Sequence, residues 1–256
     1  MIRKKIDIEL NDFPNELHGY LAAGDVYDSS CSPEARALYC SGGYYIKIAP
    51  RGELAREAEL DRVFHSLGMG VEVVCYLSKD RDYLVTAGAV GADLTHAQDD
   101  PEGLCAVMAR ALRKLHTMDP AGAPRSAKLR EYEAVTGDGY DEYLLVEGIG
   151  VDSREDARRI LREGRYTLKA DTLIHGDACL PNIICRDGQF SSFIDCGLGG
   201  LGDRHIDLFW AMWSIQFNLK TSVYSDLFLD LYGREDVNMD VLRTVAALEL
   251  LGTPVA

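Results

Sequence analysis

The residues best suited to chemistry lie in two neighbouring segments, LIHGDACLPNII and SSFIDCGLGG. Asp177 is followed five residues later by Asn182, and Asp195 comes thirteen residues after that. Phosphoryl transfer from a nucleotide asks a protein for positioning and charge neutralisation more than for covalent help. It needs a carboxylate beside the acceptor hydroxyl and oxygen ligands for a divalent cation. In this reading Asp177 orients the acceptor and takes its proton, while Asn182 and Asp195 bind Mg²⁺. His175, taken by itself, reads as a packed and hydrogen-bonded side chain rather than a catalyst.

Gly197, Gly199 and Gly202 also spell G-x-G-x-x-G straight after an apolar run. A dinucleotide-binding turn needs a strand–helix–strand unit and a carboxylate about twenty residues further on for the ribose. Asp226 falls in range but lies inside a helical pattern with no strand after it. Asp195 just before the glycines repels a pyrophosphate unless a cation intervenes. The glycines therefore read as part of a metal loop, and failure to bind a nicotinamide cofactor would dismiss the oxidoreductase alternative.

These residues need elements to position them. The first third of the chain reads as strands with one helix. LYCSGGYYIKIAP has a Gly-Gly turn signal followed by a β-rich run and predicts a hairpin, and VEVVCYL and DYLVTA predict two more strands. Between them, Leu60, Val63, Phe64 and Leu67 recur at helical spacing up to Gly68, a predicted C-cap. Further on, Leu104, Val107, Met108, Ala111, Leu112 and Leu115 form one helix face between Pro101 and Pro120. A polar region follows, then the short strand-like runs DTLI, NIIC and FSSFID, and three predicted helices close the chain. A β-rich front and a helical back predict an α+β protein of two lobes, divided as 1–88 and 89–256.

Composition narrows the partners. The chain has 256 residues, 47% hydrophobic and 27% charged, with a formal net charge of −14. Such a balance argues against a nucleic-acid partner, whose phosphates demand basic patches, and favours a small cationic ligand. From Glu131 to Asp156 nine acids face one base, Arg154. No apolar run is long enough to cross a bilayer, and the start MIRKKIDIEL lacks an apolar export signal. Seven scattered cysteines without a C-x-x-C fit reduced thiols. The expectation is a cytoplasmic protein, a monomer or weak dimer, with no membrane partner.

HGDACLPNI, FIDCG and DRHIDL together resemble the aminoglycoside 3'-phosphotransferases, the kanamycin and neomycin kinases, which share the protein-kinase fold. ALRKLHTMDP and DYLVTAGAVGADL extend the resemblance over nearly the whole chain. It implies a small β-rich N-terminal lobe that binds the nucleotide (ATP, with GTP an alternative) and a mostly helical C-terminal lobe that carries the catalytic and acceptor sites. It further implies that Lys47 grips the α- and β-phosphates, that Glu57 pairs with Lys47, and that Ser29, Ser30, Cys31 and Ser32 cover the phosphates. Tyr45 is placed to stack on adenine, with core packing as its alternative role. The backbone of the segment from Thr86 through Ala87 to Ala89 is placed to hydrogen-bond the base, and Asp207 to brace the catalytic loop.

On the acceptor side the pattern departs from that family. Leu198 and Trp213 stand where arginines are usual, Phe217 and Asn218 replace an acidic pair, and Leu248 and Glu249 align with a second one. Glu147 and Glu249 keep acids where substrate ammonium groups are bound, with Asp141 and Glu142 as alternatives and Asn218 as a polar contact. The expected activity is ATP-dependent phosphorylation of an aminoglycoside hydroxyl. The alternatives are a kinase of the same fold for another amino-bearing compound, which an acceptor panel separates, and a nucleotide-binding module without catalysis, which any ATP-dependent product dismisses.

Overall fold

A computed structural model describes residues 4–30, 35–120, 122–164 and 167–252. The chain divides into two compact units, Met1–Ala89 and Val90–Ala256.

The first unit is built on an antiparallel sheet of β1 (Lys4–Ile6), β2 (Val26–Asp28), β3 (Arg36–Cys40), β4 (Tyr44–Pro50), β5 (Val73–Ser78) and β6 (Arg81–Ala87), in the order β1-β2-β3-β4-β6-β5. A short helix α1 (His18–Leu21) precedes β2, and α2 (Ala55–Ser66) joins β4 to β5. The expected hairpin is β3–β4, with Tyr45 opposite Tyr39 on one side and Thr86 of β6 on the other. Alternation sorts the two faces of β4. Ile46 and Ile48 point into a core with Leu38, Val85, Leu17 and Phe13. Ala49 shares the opposite face with Leu84 and packs on Leu54 and Ala58 at the start of α2. Lys47 has the parity of Ala49 and pairs with Leu84, so the sheet delivers it to the α2 side. Strands β1 and β2 and helix α1 are too short to leave a periodic trace in the sequence.

The second unit is mostly helical. It contains β7 (Ala92–Asp93), α3 (Pro101–His116), α4 (Ala127–Glu133), α5 (Arg154–Glu163), β8 (Thr172–Ile174), β9 (Ile183–Arg186), β10 (Gln189–Phe193), β11 (Gly200–Gly202), α6 (Arg204–Leu219), α7 (Tyr224–Tyr232) and α8 (Met239–Gly252). The face predicted for α3 is buried at every named position, and Asp100 caps the helix by accepting the Gly103 amide. α3 packs on α7, and α8 packs on α5 and α6. Each fully buried Leu or Phe stabilises such a core by about 1.5–3 kcal/mol.

The polar region after α3 holds two helices that its composition concealed. α4 is capped by Ser126, and α5 by Ser153 at its start and left-handed Gly164 at its end. Both are short and charged, so caps and tertiary packing define them rather than a run of apolar residues. Several acids of the Glu131–Asp156 run are ion-paired: Glu131 with Lys128, Glu133 with Arg125, and Asp156 with Arg159. The run is therefore distributed over two helices and the loop between them, with three of its acids neutralised by neighbouring bases. No helix among the described residues is long and apolar enough to cross a membrane.

Candidate active site

In the first unit, Lys47 donates to Glu57 Oε1 at 2.6 Å, with the side chains 25% and 15% exposed. Glu57 stands in the first turn of α2, whose entry is fastened by buried Asp82. Asp82 Oδ2 accepts the Leu54 amide at 3.0 Å and the Tyr76 hydroxyl at 2.9 Å. This carboxylate satisfies a helix-start donor and fixes the direction from which Glu57 approaches Lys47. Asp82 belongs to no motif in the sequence.

Tyr45 is half-buried and tilted against Tyr39, with ring centroids 5.1 Å apart. Thr86, Ala87 and Ala89 are also half-buried, and the Ala87 amide donates to the Glu72 carbonyl at 2.9 Å. Ser29 is buried, with its amide on the Ala37 carbonyl at 2.8 Å. The exposed Ser30 accepts the Ala37 amide on its hydroxyl and donates its own amide to Asp28. Cys31 and Ser32 lie outside the described residues.

In the second unit, the segment after β8 is held almost entirely by buried hydrogen bonds. Asp207, fully buried on α6, accepts the amides of His175 and Gly176 at 2.7 Å each. Its Oδ2 also accepts from His116 Nε2 at 3.1 Å, and His116 Nδ1 lies 2.8 Å from the Tyr232 hydroxyl. This loop is thus tied through one carboxylate to α3 and α7. His175 is buried as expected. Nε2 meets the Ile194 carbonyl at 2.9 Å and must donate there, which leaves Nδ1 to accept the Asp177 amide at 3.3 Å. Gly176 has φ +86°, and a Cβ there would stand 2.5 Å from the Leu198 carbonyl oxygen, so only glycine fits.

Asn182 closes the loop. Its side-chain N–H groups donate to the Asp177 carbonyl at 2.9 Å and to Asp177 Oδ2 at 2.8 Å. The hairpin β9–β10 sets Ile183 opposite Phe193, and the Ile194 amide donates to the Asn182 carbonyl at 3.1 Å. Asp195 follows directly in the left-handed conformation, φ 61° and ψ 46°, and is exposed. Residues distant in sequence are joined by one hairpin register. With the Asn182 N–H groups on Asp177, a hard cation would be held through the Asn182 amide oxygen and the Asp195 carboxylate. Among the described residues no group of three or more His, Cys, Asp or Glu side chains forms a metal cage. Mg²⁺ takes one or two protein oxygens and completes its shell with phosphates and water, so the Asn182 and Asp195 oxygens would be donors enough to hold it.

The glycine motif has a different explanation from a nucleotide turn. A Cβ on Gly199 would lie 2.7 Å from the Ile174 carbonyl oxygen, because β11 runs antiparallel against β8. Gly199 lets backbone pack on backbone, and among the described residues the helix α6, not a parallel strand, follows β11.

The acceptor-side candidates are dispersed. Exposed Glu147 accepts from the Ser222 hydroxyl at 2.6 Å, and its main chain is clamped by Gln216 at 3.0 Å on both sides. Asp141 caps the turn Glu142–Leu144 through the Tyr143 amide, and Glu142 is exposed. Asn218 turns its amide back onto the Ser214 carbonyl at 2.8 Å. Trp213 stacks on Phe217 at 4.9 Å and donates to the Tyr143 carbonyl at 2.7 Å. Glu249, expected to face a substrate ammonium, is buried and meets the chain's own: Lys128 Nζ is 3.1 Å from Oε1, which also accepts the Tyr132 hydroxyl. Burial lifts Glu249 above the usual carboxylate range, and Lys128, Tyr132 and Trp210 draw it part of the way back. Lys128, Tyr132 and Trp210 carried no sequence signal, because helices far apart in the chain bring them together.

The pattern of the phosphotransferase enzyme family matches residues 34–243. The probable aminoglycoside 3'-phosphotransferase of Lactococcus lactis subsp. lactis (strain IL1403) is 36% identical over 97% of this chain and 98% of its own length. The streptomycin 3''-kinase of Streptomyces griseus is 35% identical over 64% of this chain and 67% of its own. An aminoglycoside phosphotransferase structure from Streptomyces rimosus ATCC10970 superposes with a TM-score of 0.71 at 22% identity, covering 96% of this chain and 99% of that one. The likeness establishes the α+β, kinase-like fold expected from the sequence.

Proposed function

The chain belongs to the phosphotransferase enzyme family, and from that premise we propose that it transfers the terminal phosphoryl group of ATP to a hydroxyl of an aminoglycoside. The observation that carries the reading is the Asp177–Asn182 contact, at 2.8 Å, in a loop whose amides are gripped by buried Asp207. A carboxylate held this firmly loses little freedom when an acceptor hydroxyl docks on it.

In this reading Asp177 receives the acceptor proton as the acceptor oxygen forms its bond to the terminal phosphorus. The bond from that phosphorus to the bridging oxygen breaks, and its electron pair leaves with ADP. Lys47, aimed by Glu57, binds the phosphates, and Asn182 and Asp195 bind Mg²⁺. When bound, the cation neutralises charge on the phosphate oxygens. Residues 1–89 serve the nucleotide, with Tyr45 and the Thr86–Ala89 segment beside the base, and residues 90–256 serve catalysis and the acceptor.

The test is an ADP-release assay with Mg²⁺-ATP and a panel of aminoglycosides, followed by location of the added phosphate. ADP release that depends on the acceptor and disappears in Asp177→Ala is the expected result. No response to any aminoglycoside would refute the reading. A second reading, a kinase for another amino-bearing alcohol, is favoured by the Trp213–Phe217 stack and by the inward turn of Asn218. Simple amino alcohols and amino sugars in the same panel separate the two.

A further inference from the structure

Three helices of the second unit converge on the ammonium group of Lys128. Its Nζ lies 3.1 Å from Glu249 of α8 and 3.3 Å from Glu131 of α4. It also sits 5.1 Å from the ring centre of Trp210 on α6 and 5.5 Å from that of Tyr132, one turn along α4. The Lys128 side chain is 12% exposed and that of Glu249 7%. Two carboxylates and two aromatic faces around one cation are what a receptor for a primary ammonium group requires. Burial alone would lower the Lys128 ammonium, but Glu249 and Glu131 more than reverse this and leave it raised.

The receptor borders the catalytic loop. Cys179, two residues after Asp177, donates its thiol to the Trp210 carbonyl at 3.9 Å, and the Leu180 amide donates to Ser214 on the same helix at 2.9 Å. Burial first, then the Asp177 carboxylate, push the Cys179 thiol well above its ordinary range, and Glu249 adds to the effect. One buried thiol therefore lies within electrostatic reach of both the catalytic carboxylate and the receptor carboxylate.

We propose that Lys128 is a specificity-determining residue: its ammonium fills an acid-and-aromatic receptor beside the Asp177 loop, so the acceptor presents an uncharged group, not an ammonium, to this wall. The identity of the acceptor rests on the functional reading above; the filled receptor does not. A carboxylate that the acceptor would otherwise engage is neutralised from within, and a second cation there meets a like charge instead of an unopposed acid.

Lys128→Ala removes a fragment equivalent to n-propylammonium. In the variant, n-propylammonium is expected to raise the thermal unfolding midpoint saturably, with n-propanol ineffective and the wild type indifferent to both. If Lys128→Ala does not fold by itself, its refolding yield is read with the same two additives, and selective recovery by the ammonium is the expected outcome. A second arm measures Kd by calorimetry for two aminoglycosides that differ only by an amine or a hydroxyl at one ring position near the phosphorylated hydroxyl. Lys128→Ala is expected to shift the Kd ratio towards the amine by about tenfold or more, the effect of one charge-assisted hydrogen bond. No selective response to propylammonium, or an unchanged ratio, overturns the proposal. If the wild type binds neither aminoglycoside, the functional reading fails, and the propylammonium arm decides the receptor alone.

Discussion

Asp207 holds His175 by its main chain: the buried carboxylate accepts the His175 amide at 2.7 Å while its other oxygen accepts Gly176 at 2.7 Å. Two residues later the same strand exit presents Asp177. The carboxylate therefore fixes the backbone that leads into Asp177, the residue proposed to take the acceptor proton.

Asp207→Asn replaces one accepting oxygen by an N–H₂ group and leaves a buried amide facing a donor. The unsatisfied group is expected to cost about 1–3 kcal/mol in urea unfolding. Displacement of Asp177 is expected to lower kcat by about a hundredfold, with KM for ATP little changed. A larger effect on KM for ATP than on kcat would contradict this role.

Asp177→Asn keeps the shape of the side chain and removes its basicity. Turnover is expected to fall by about 10²–10⁴-fold, the contribution of a positioned general base. Nucleotide affinity, read by quenching of a fluorescent ADP analogue, is expected to stay within about threefold. Substantial turnover in this variant would remove Asp177 from its assigned place.

Glu57→Gln breaks the ion pair with Lys47 while preserving size. Loss of the charge-assisted bond is expected to raise KM for ATP by about tenfold. KM for the acceptor serves as the internal control, and an equal rise in both would show general disruption instead.

Acid sensitivity is expected to involve Asp82. Burial alone would raise its carboxyl, but the polar groups of Gly52, Ser78, Tyr76 and Leu54 around it, with the Tyr76 hydroxyl and the Leu54 amide bonded to Oδ2, hold it below its usual 3.8. A depressed folded-state value means that its stabilising contribution is complete above the unfolded-state value near 3.8 and is lost as the pH falls through the lower folded one. Asp82→Asn is expected to be less stable than the wild type at pH 7 and to lose less stability on acidification. Urea melts at neutral and acid pH compare the two slopes, and parallel slopes would exclude this contribution.

Much of this protein was legible from the order of its residues. The hairpin carrying Lys47, the buried face of α3 and the strand-like runs around HGDACLPNII and FIDCG each leave a local period or turn signal, because hydrophobic alternation and glycine geometry act over a few residues. The candidate residues Asp177, Asn182 and Asp195 were identified by type and spacing, since hard-cation and phosphate chemistry admits few side chains.

Other features depended on packing. Helices α4 and α5 are short and charged, and their caps, not their composition, define them. Asp82 stabilises the start of α2 across a sequence gap that no motif spans. Glu249 was identified as an acid from the sequence, but only the meeting of α4, α6 and α8 surrounds it with Lys128, Tyr132 and Trp210. Sequence order by itself determined which side chains can bind phosphate, a cation and a proton, because those properties belong to each residue. Tertiary structure alone decided which of those charges are already neutralised from within, because pairing and burial arise only where distant segments touch.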